Sequence, residues 1–133
     1  MKEFITILEK NPMGCLATIE KGRPRVRPWG YMMNKNGKLW FCTSSQKNVY
    51  QQLQDCPKVE FTTSTAEFTT LRISGEVTFS DDCEVKKEII TKNELVKNIY
   101  KSPDNPIFKV FFIEHGEASI ADFSGKPPIK IIF

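Results

Sequence analysis

The chain has one histidine, His115, and four cysteines, Cys15, Cys42, Cys56 and Cys83, none of them in a Cys-x-x-Cys pair. Structural zinc sites need closely spaced Cys and His ligands, so cysteine spacings of 27, 14 and 27 predict no metal. His115 stands beside Gly116 without a cysteine or aspartate at triad spacing, which reads as an exposed turn histidine. No apolar run approaches membrane-spanning length, and Met1–Lys10 reads as a charged amphipathic helix rather than a secretory leader. The expectation is no membrane, a cytoplasmic location and reduced thiols. Charge of one sign is also scarce. Nineteen Lys and Arg against sixteen Asp and Glu leave +3, scattered except in Lys21–Arg27. That excludes the dense basic footprint of a nucleic-acid binder; so mild an excess can attract a phosphate-bearing ligand but is usually just a solvated face. No repeat, low-complexity tract or linker divides the chain, so its 133 residues predict one domain, 1–133.

Aromatic residues are plentiful: ten Phe, three Tyr and two Trp, a bias toward sheets and interfaces. After the N-terminal helix, Asn11-Pro12 breaks the periodicity, and Gly14–Glu20, Pro24–Met33 and Lys38–Thr43 read as strands. Short links, including the Asn36-Gly37 hairpin signal, predict an antiparallel meander of these three. Gln46–Asp55 carries Val49, Tyr50 and Leu53 at helical spacing behind Ser45 as N-cap. Lys58–Thr63 is a further strand. Leu71, Ile73, Gly75, Val77 and Phe79 then alternate with polar residues, the cleanest two-residue period in the chain. Asp81 and Glu84 have capping-box spacing before one or two helices that end ahead of Ser102-Pro103. Phe108–Glu114 and Glu117–Phe123 read as two strands about a turn at Gly116, and Ile129–Phe133 as an apolar tail. About seven short strands with short early links cannot make a parallel sheet. They predict a mainly β fold, a closed or partly closed antiparallel barrel with peripheral helices.

Two segments carry the chemistry, Arg23–Gly30 and Cys42–Lys47, which the hairpin reading makes neighbours. Arg25 and Arg27 are two apart and share a strand face. The second segment runs from a strand into a helix N-terminus, where free N–H groups, the hydroxyls of Thr43, Ser44 and Ser45, and Lys47 could receive an anion. A lysine there opposes the helix dipole unless a phosphate accompanies it; an exposed lysine beside an ordinary cap fits the spacing equally well. Pro28 and Gly30 remove a donor and a side chain beside Trp29, which suits a flat ring system or a barrel corner alike.

These residues resemble the pyridoxamine 5′-phosphate oxidase-like, FMN-binding split-barrel family, particularly its short members related to nitroimidazole-resistance proteins. The resemblance runs from Met13–Thr18 to Ala118–Phe123. It rests on Pro24-x-Val26-Arg27-Pro28, the Asn-Gly hairpin, a strand ending at Thr43 before Lys47, Pro57-x-Val59 and Ile73-x-Gly75-x-Val77. It implies a split β-barrel homodimer with FMN between subunits. It also implies cofactor contacts from Arg25, Val26, Arg27, Pro28, Trp29, Gly30, Cys42, Thr43, Ser44 and Lys47, with Cys42 a small lining residue and no catalytic residue assigned. Full-length oxidases carry a Ser-Arg-Lys run where this chain has Ser45-Gln46-Lys47, one cation fewer, for which Arg25 could compensate. They also end in a basic substrate-binding region, whereas this chain ends Lys126-Pro127-Pro128-Ile129-Lys130-Ile131-Ile132-Phe133. The function implied is FMN-dependent electron or hydride transfer to a small flat acceptor, with vitamin B6 oxidation disfavoured. The alternatives are a non-catalytic flavin-binding or sensor protein, and a deazaflavin F420 or haem binder on the same barrel. A shared groove, and the apolar segments Phe108–Ile113 and Ile129–Phe133 as possible edge strands in need of cover, also predict a homodimer.

Overall fold

Asn36 and Gly37 both take positive φ, 56° and 72°, in the tight turn that joins β3 (Met33–Lys35) to β4 (Lys38–Ser44). This is the backbone that an Asn-Gly hairpin requires. The computed structural model describes residues 1–133. Its other strands are β1 (Met13–Glu20), β2 (Arg23–Gly30), β5 (Lys58–Ser64), β6 (Thr70–Ser80), β7 (Phe108–Ala121) and β8 (Ile129–Ile132). The helices are α1 (Lys2–Lys10), α2 (Asn48–Asp55), α3 (Cys83–Lys92) and α4 (Glu94–Tyr100). One antiparallel sheet runs β2-β1-β5-β6-β7-β4-β3, with β8 beside the second half of β7.

The sheet curls but does not close by hydrogen bonds between its end strands. The chain closes it instead. Tyr31 N–H donates to Pro12 O at 2.8 Å on the β1 side, and Met32 N–H donates to Trp40 O at 3.0 Å on the β4 side. Away from these two residues β2 and β4 share no pairing, so the barrel is split between them. The expected meander is therefore corrected. β1 and β2 form one hairpin, β3 and β4 another, and β2 and β4 lie near opposite ends of the strand order.

The barrel interior is filled with rings rather than ligand space. Phe41 stacks on Phe111 with centroids 5.6 Å apart and lies 5.3 Å from Phe61. Phe4 and Leu8 of α1 join the same core, so α1 covers part of the barrel. A second core lies on the outer face of β4 and β7, where Trp40, Phe108 and Val110 meet Val85, Ile89, Val96 and Tyr100 of α3 and α4. Strand alternation makes this possible: Phe111 and Ile113 face inward, and Phe108 and Val110 face the helices.

Three local expectations change. Phe108–Phe123 contains no turn: β7 is one strand of 14 residues, and Gly116 sits within it opposite Gly75. Its missing side chain serves a close approach, because a Cβ there would overlap the Ser74 carbonyl oxygen. Phe108–Ile113 is accordingly a central segment, bonded to β6 and β4, and not an edge. At the helix starts, α2 begins at Asn48 with Lys47 as N-cap residue and no side-chain cap, so Ser45 does not cap it. In α3 the cap is Asp82, whose carboxylate accepts from Glu84 N–H and Val85 N–H, rather than Asp81.

Candidate functional site

The split opens into a cavity of about 730 Å³, within the range of small-ligand sites. β2 forms one wall, Cys42 of β4 and the start of α2 another, and α4 a third. Of the residues predicted from sequence, Arg25, Arg27, Pro28, Trp29, Gly30, Cys42 and Lys47 line it together. Val26, Thr43 and Ser44 do not. Val26 is 70% exposed. Thr43 is buried, and strand alternation turns it to the barrel interior with Leu39 and Phe41, where its hydroxyl has no partner. The Ser44 hydroxyl accepts from Gln46 N–H at 3.1 Å.

Arg27 is the most constrained cation of the site. One terminal nitrogen donates to Leu16 O at 3.1 Å and Thr18 Oγ1 at 2.9 Å; the other donates to Gln52 Oε1 at 2.6 Å. A guanidinium has five N–H donors, so two remain uncommitted. All three acceptors are neutral. Burial holds the Arg27 pKa below its ordinary value, with a further push from Arg25 and an opposing pull from Glu20. Arg25 instead pairs with Glu20 at 3.0 Å, an exposed contact of small energetic weight.

Lys47 is the second free cation. It stands at the α2 N-cap, against the helix dipole, and no carboxylate pairs with it. Its ammonium lies 5.8 Å from the Trp29 ring centroid, and Trp29 in turn packs on Phe111 at 6.4 Å. The indole N–H of Trp29 is buried without a partner. Gly30 closes this end: a Cβ there would press on the side chains of Met13 and Met32.

The opposite wall is apolar. Leu95 and Ile99 of α4 line the cavity while remaining 65% and 58% exposed, so they do not serve the packing of their own helix. Val96 and Tyr100, on its buried side, do. No lining thiol or phenol is poised for proton transfer. Burial pushes the Cys42 thiol up to about 12, against the pull of Lys47. Burial, with a contribution from Cys42, also pushes Tyr100 up to about 12. His115, exposed on β7, lies outside the cavity.

Sequence reading misses Gln52 and the α4 wall. Val49, Gln52 and Leu53 occupy one buried helix stripe, so a polar residue among apolar ones is the signal that marks Gln52. No comparable signal exists for α4, because its approach to β2 depends on tertiary packing.

Comparisons with known proteins agree with this architecture. The family model described as pyridoxamine 5′-phosphate oxidase matches residues 1–119. The crystal structure of a NimC/NimA family protein from Clostridium acetobutylicum is 32% identical, with a TM-score of 0.91 over 100% of this chain and 92% of that one. Two more distant structures share the fold. A heme binding protein from Mycobacterium smegmatis is 16% identical, with a TM-score of 0.79 over 98% of this chain and 56% of that one. A pyridoxamine 5′-phosphate oxidase-related, FMN binding protein from Nostoc punctiforme PCC 73102 is 16% identical, with a TM-score of 0.68 over 90% of this chain and 78% of that one. No curated protein sequence matches the chain. With its split barrel, its Arg27 and Lys47 facing one cavity, and a family match over most of its length, the chain belongs to the pyridoxamine 5′-phosphate oxidase family of FMN-binding split barrels.

Proposed function

We propose that residues 1–133 form one FMN-binding split-barrel domain that acts as an FMN-dependent oxidoreductase on a small, flat, uncharged acceptor. The observation that carries this reading is the composition of one cavity: two cations without carboxylate partners, an indole and a glycine, and an apolar wall from α4. The residues fit the group. Arg27 offers two uncommitted N–H donors and Lys47 an unpaired charge, both suited to a phosphate, and Trp29 has a buried indole N–H without an acceptor. Bound FMN supplies reversible electron transfer, which no side chain of this chain provides. The protein's part is to bind, orient and exclude water. Arg27 and Lys47 hold the anionic end, the Trp29–Gly30 backbone and indole border the ring space, and Leu95 and Ile99 keep the acceptor's side dry.

A flavin-binding protein without turnover is the second reading. It is favoured by the high pKa values of Cys42 and Tyr100, which leave neither as a ready proton donor near neutral pH. Haem would lack a histidine ligand in this cavity, since His115 is elsewhere. Deazaflavin F420 would use the same cations. The absorbance spectrum and mass of the ligand released by denaturation separate these cofactors. Reductant consumption by the FMN-loaded protein, with and without nitroaromatic acceptors, then separates an enzyme from a binder.

We also read the protein as a homodimer with its FMN sites at the subunit interface. The exposed apolar side chains of Met13, Val26, Leu95 and Ile99 lie on or beside the cavity walls, where a second subunit would cover them. If so, FMN favours dimer by mass action, and dilution weakens binding. Sedimentation velocity over a concentration series, with and without FMN, tests this; a monomer with constant FMN affinity defeats it. The unpaired cysteines suit a reducing, cytoplasmic setting. No helix is long and apolar enough to cross a membrane.

A further inference from the structure

We infer that Gln52 is a positioning residue for the anion site: its amide fixes the Arg27 guanidinium in the cavity and stands between that guanidinium and the only carboxylate lining the cavity, Glu20. The inference rests on the reading of Arg27 as an anion-binding group and adds to it how the charge is kept available.

The geometry is specific at both ends of the amide. Gln52 is buried, and its Oε1 accepts from Thr18 Oγ1 at 2.5 Å and from Arg27 at 2.6 Å. Its Nε2 points the other way and donates to Glu20 Oε2 at 3.4 Å, a long contact. The other Glu20 oxygen is taken by Arg25. The three bonds to the amide also fix its orientation, because reversing it would set an NH2 group against the guanidinium. Glu20 is near enough to pull on the Arg27 titration but makes no bond to it.

A carboxylate in the place of Gln52 would hold Arg27 as well or better, yet it would neutralise the charge that an incoming phosphate needs. A neutral amide holds the arginine and leaves its charge uncompensated. It also occupies Glu20 at its far end. Gln52 thus contributes through two other residues and need not touch the ligand.

The test uses Q52M, which keeps the length and packing of the side chain but removes both polar ends, together with E20Q and the double variant. Dissociation constants for FMN and riboflavin are read by flavin fluorescence quenching, with circular dichroism to verify folding. Q52M is expected to weaken FMN roughly tenfold, as loss of one charge-assisted hydrogen bond would, and riboflavin less than twofold. E20Q alone is expected to leave FMN binding as tight or tighter. In the Q52M background, removing the Glu20 charge is expected to recover most of the lost FMN affinity. Equal weakening of both flavins by Q52M, or none, overturns the positioning role; no recovery in the double variant overturns the shielding of Arg27 from Glu20. Should the wild type fail to prefer FMN over riboflavin, the phosphate reading falls by itself. Arginine side-chain ¹⁵N NMR then still decides the matter for Gln52: a slowly rotating Arg27 guanidinium in the wild type that becomes mobile in Q52M sustains it, and an unchanged signal overturns it.

Discussion

β7 is bonded along both edges, to β6 from Val110 to Ala121 except at a bulge and to β4 or β8 in turn, with Phe111 and Ile113 fully buried. β2 is bonded only to β1, leaves Val26 largely exposed, and spends two of its eight positions on proline. β7 contributes no residue to the cavity lining, and β2 contributes five. A strand held on both sides has its residue types dictated by packing. A strand at the margin can carry prolines that donate nothing and arginines that blunt the edge, and its side chains stay available to a ligand. Stability and binding are thus assigned to different strands of one sheet.

The contrast can be broken by mutation. Phe111→Ala is expected to cost about 3–5 kcal/mol, the usual range for emptying a buried aromatic site, read as a lower urea midpoint. Lys47→Ala, at the cavity rim, should leave the unliganded midpoint nearly unchanged. It should weaken FMN by one to two decades, from about 1.5–3 kcal/mol of charged hydrogen bonding, and spare riboflavin. If Phe111→Ala folds normally, or Lys47→Ala unfolds the protein, the division between core residues and cavity residues is wrong. Gly116→Ala should cost about 1–3 kcal/mol by pressing a methyl group on Ser74 O, with FMN binding changed only as far as folding is. A smaller effect concerns Cys42, on the strand between β7 and the split. With its thiol pushed up to about 12, Cys42 should be alkylated by iodoacetamide more slowly than exposed Cys83 at pH 8, as mass spectrometry of timed samples would show.

The smallest effect lies outside both strands, on α3. Hydrogen bonds from Lys35 and Lys92 hold the Glu88 carboxyl below its ordinary range. A depressed carboxyl pKa stabilises above the unfolded value, about 4.3, and that contribution fades as pH falls through the folded value. Glu88→Gln should therefore lower Tm slightly at neutral pH, with the difference from wild type shrinking toward pH 3. The pair is partly exposed at the surface, so a large difference would mean that it does more than a surface contact can.

Much of this was legible in local pattern. The Asn36-Gly37 turn, the alternation from Leu71 to Phe79 and the apolar stripe of α2 each express a preference of a few adjacent residues, and each is found in place. What was not legible depends on distant partners. Gly116 signals a turn when seen alone, and only the nearby backbone of β6 explains why it lies inside a strand. The adjacency of Arg23–Gly30 and Cys42–Lys47 is real, yet it arises across a gap rather than through a ladder. Arg25 through Gly30, with Val26 the exception, line one cavity. Thr43 and Ser44 do not line it, because the strand period turns one inward and the local turn engages the other.

The link at Tyr31-Met32 also has a mechanical meaning. The cavity walls formed by β2 and β4 are tied together there, by Tyr31 N–H to Pro12 O and Met32 N–H to Trp40 O, and the two strands do not pair with each other directly. They resemble the arms of a pair of tongs. Lengthening the pocket toward the link would require pulling apart this pinned end, where Tyr31 is buried in the core. Among flat ligands the site should therefore tolerate added length toward Gly30 least, since that end is pinned and Met13 and Met32 crowd it.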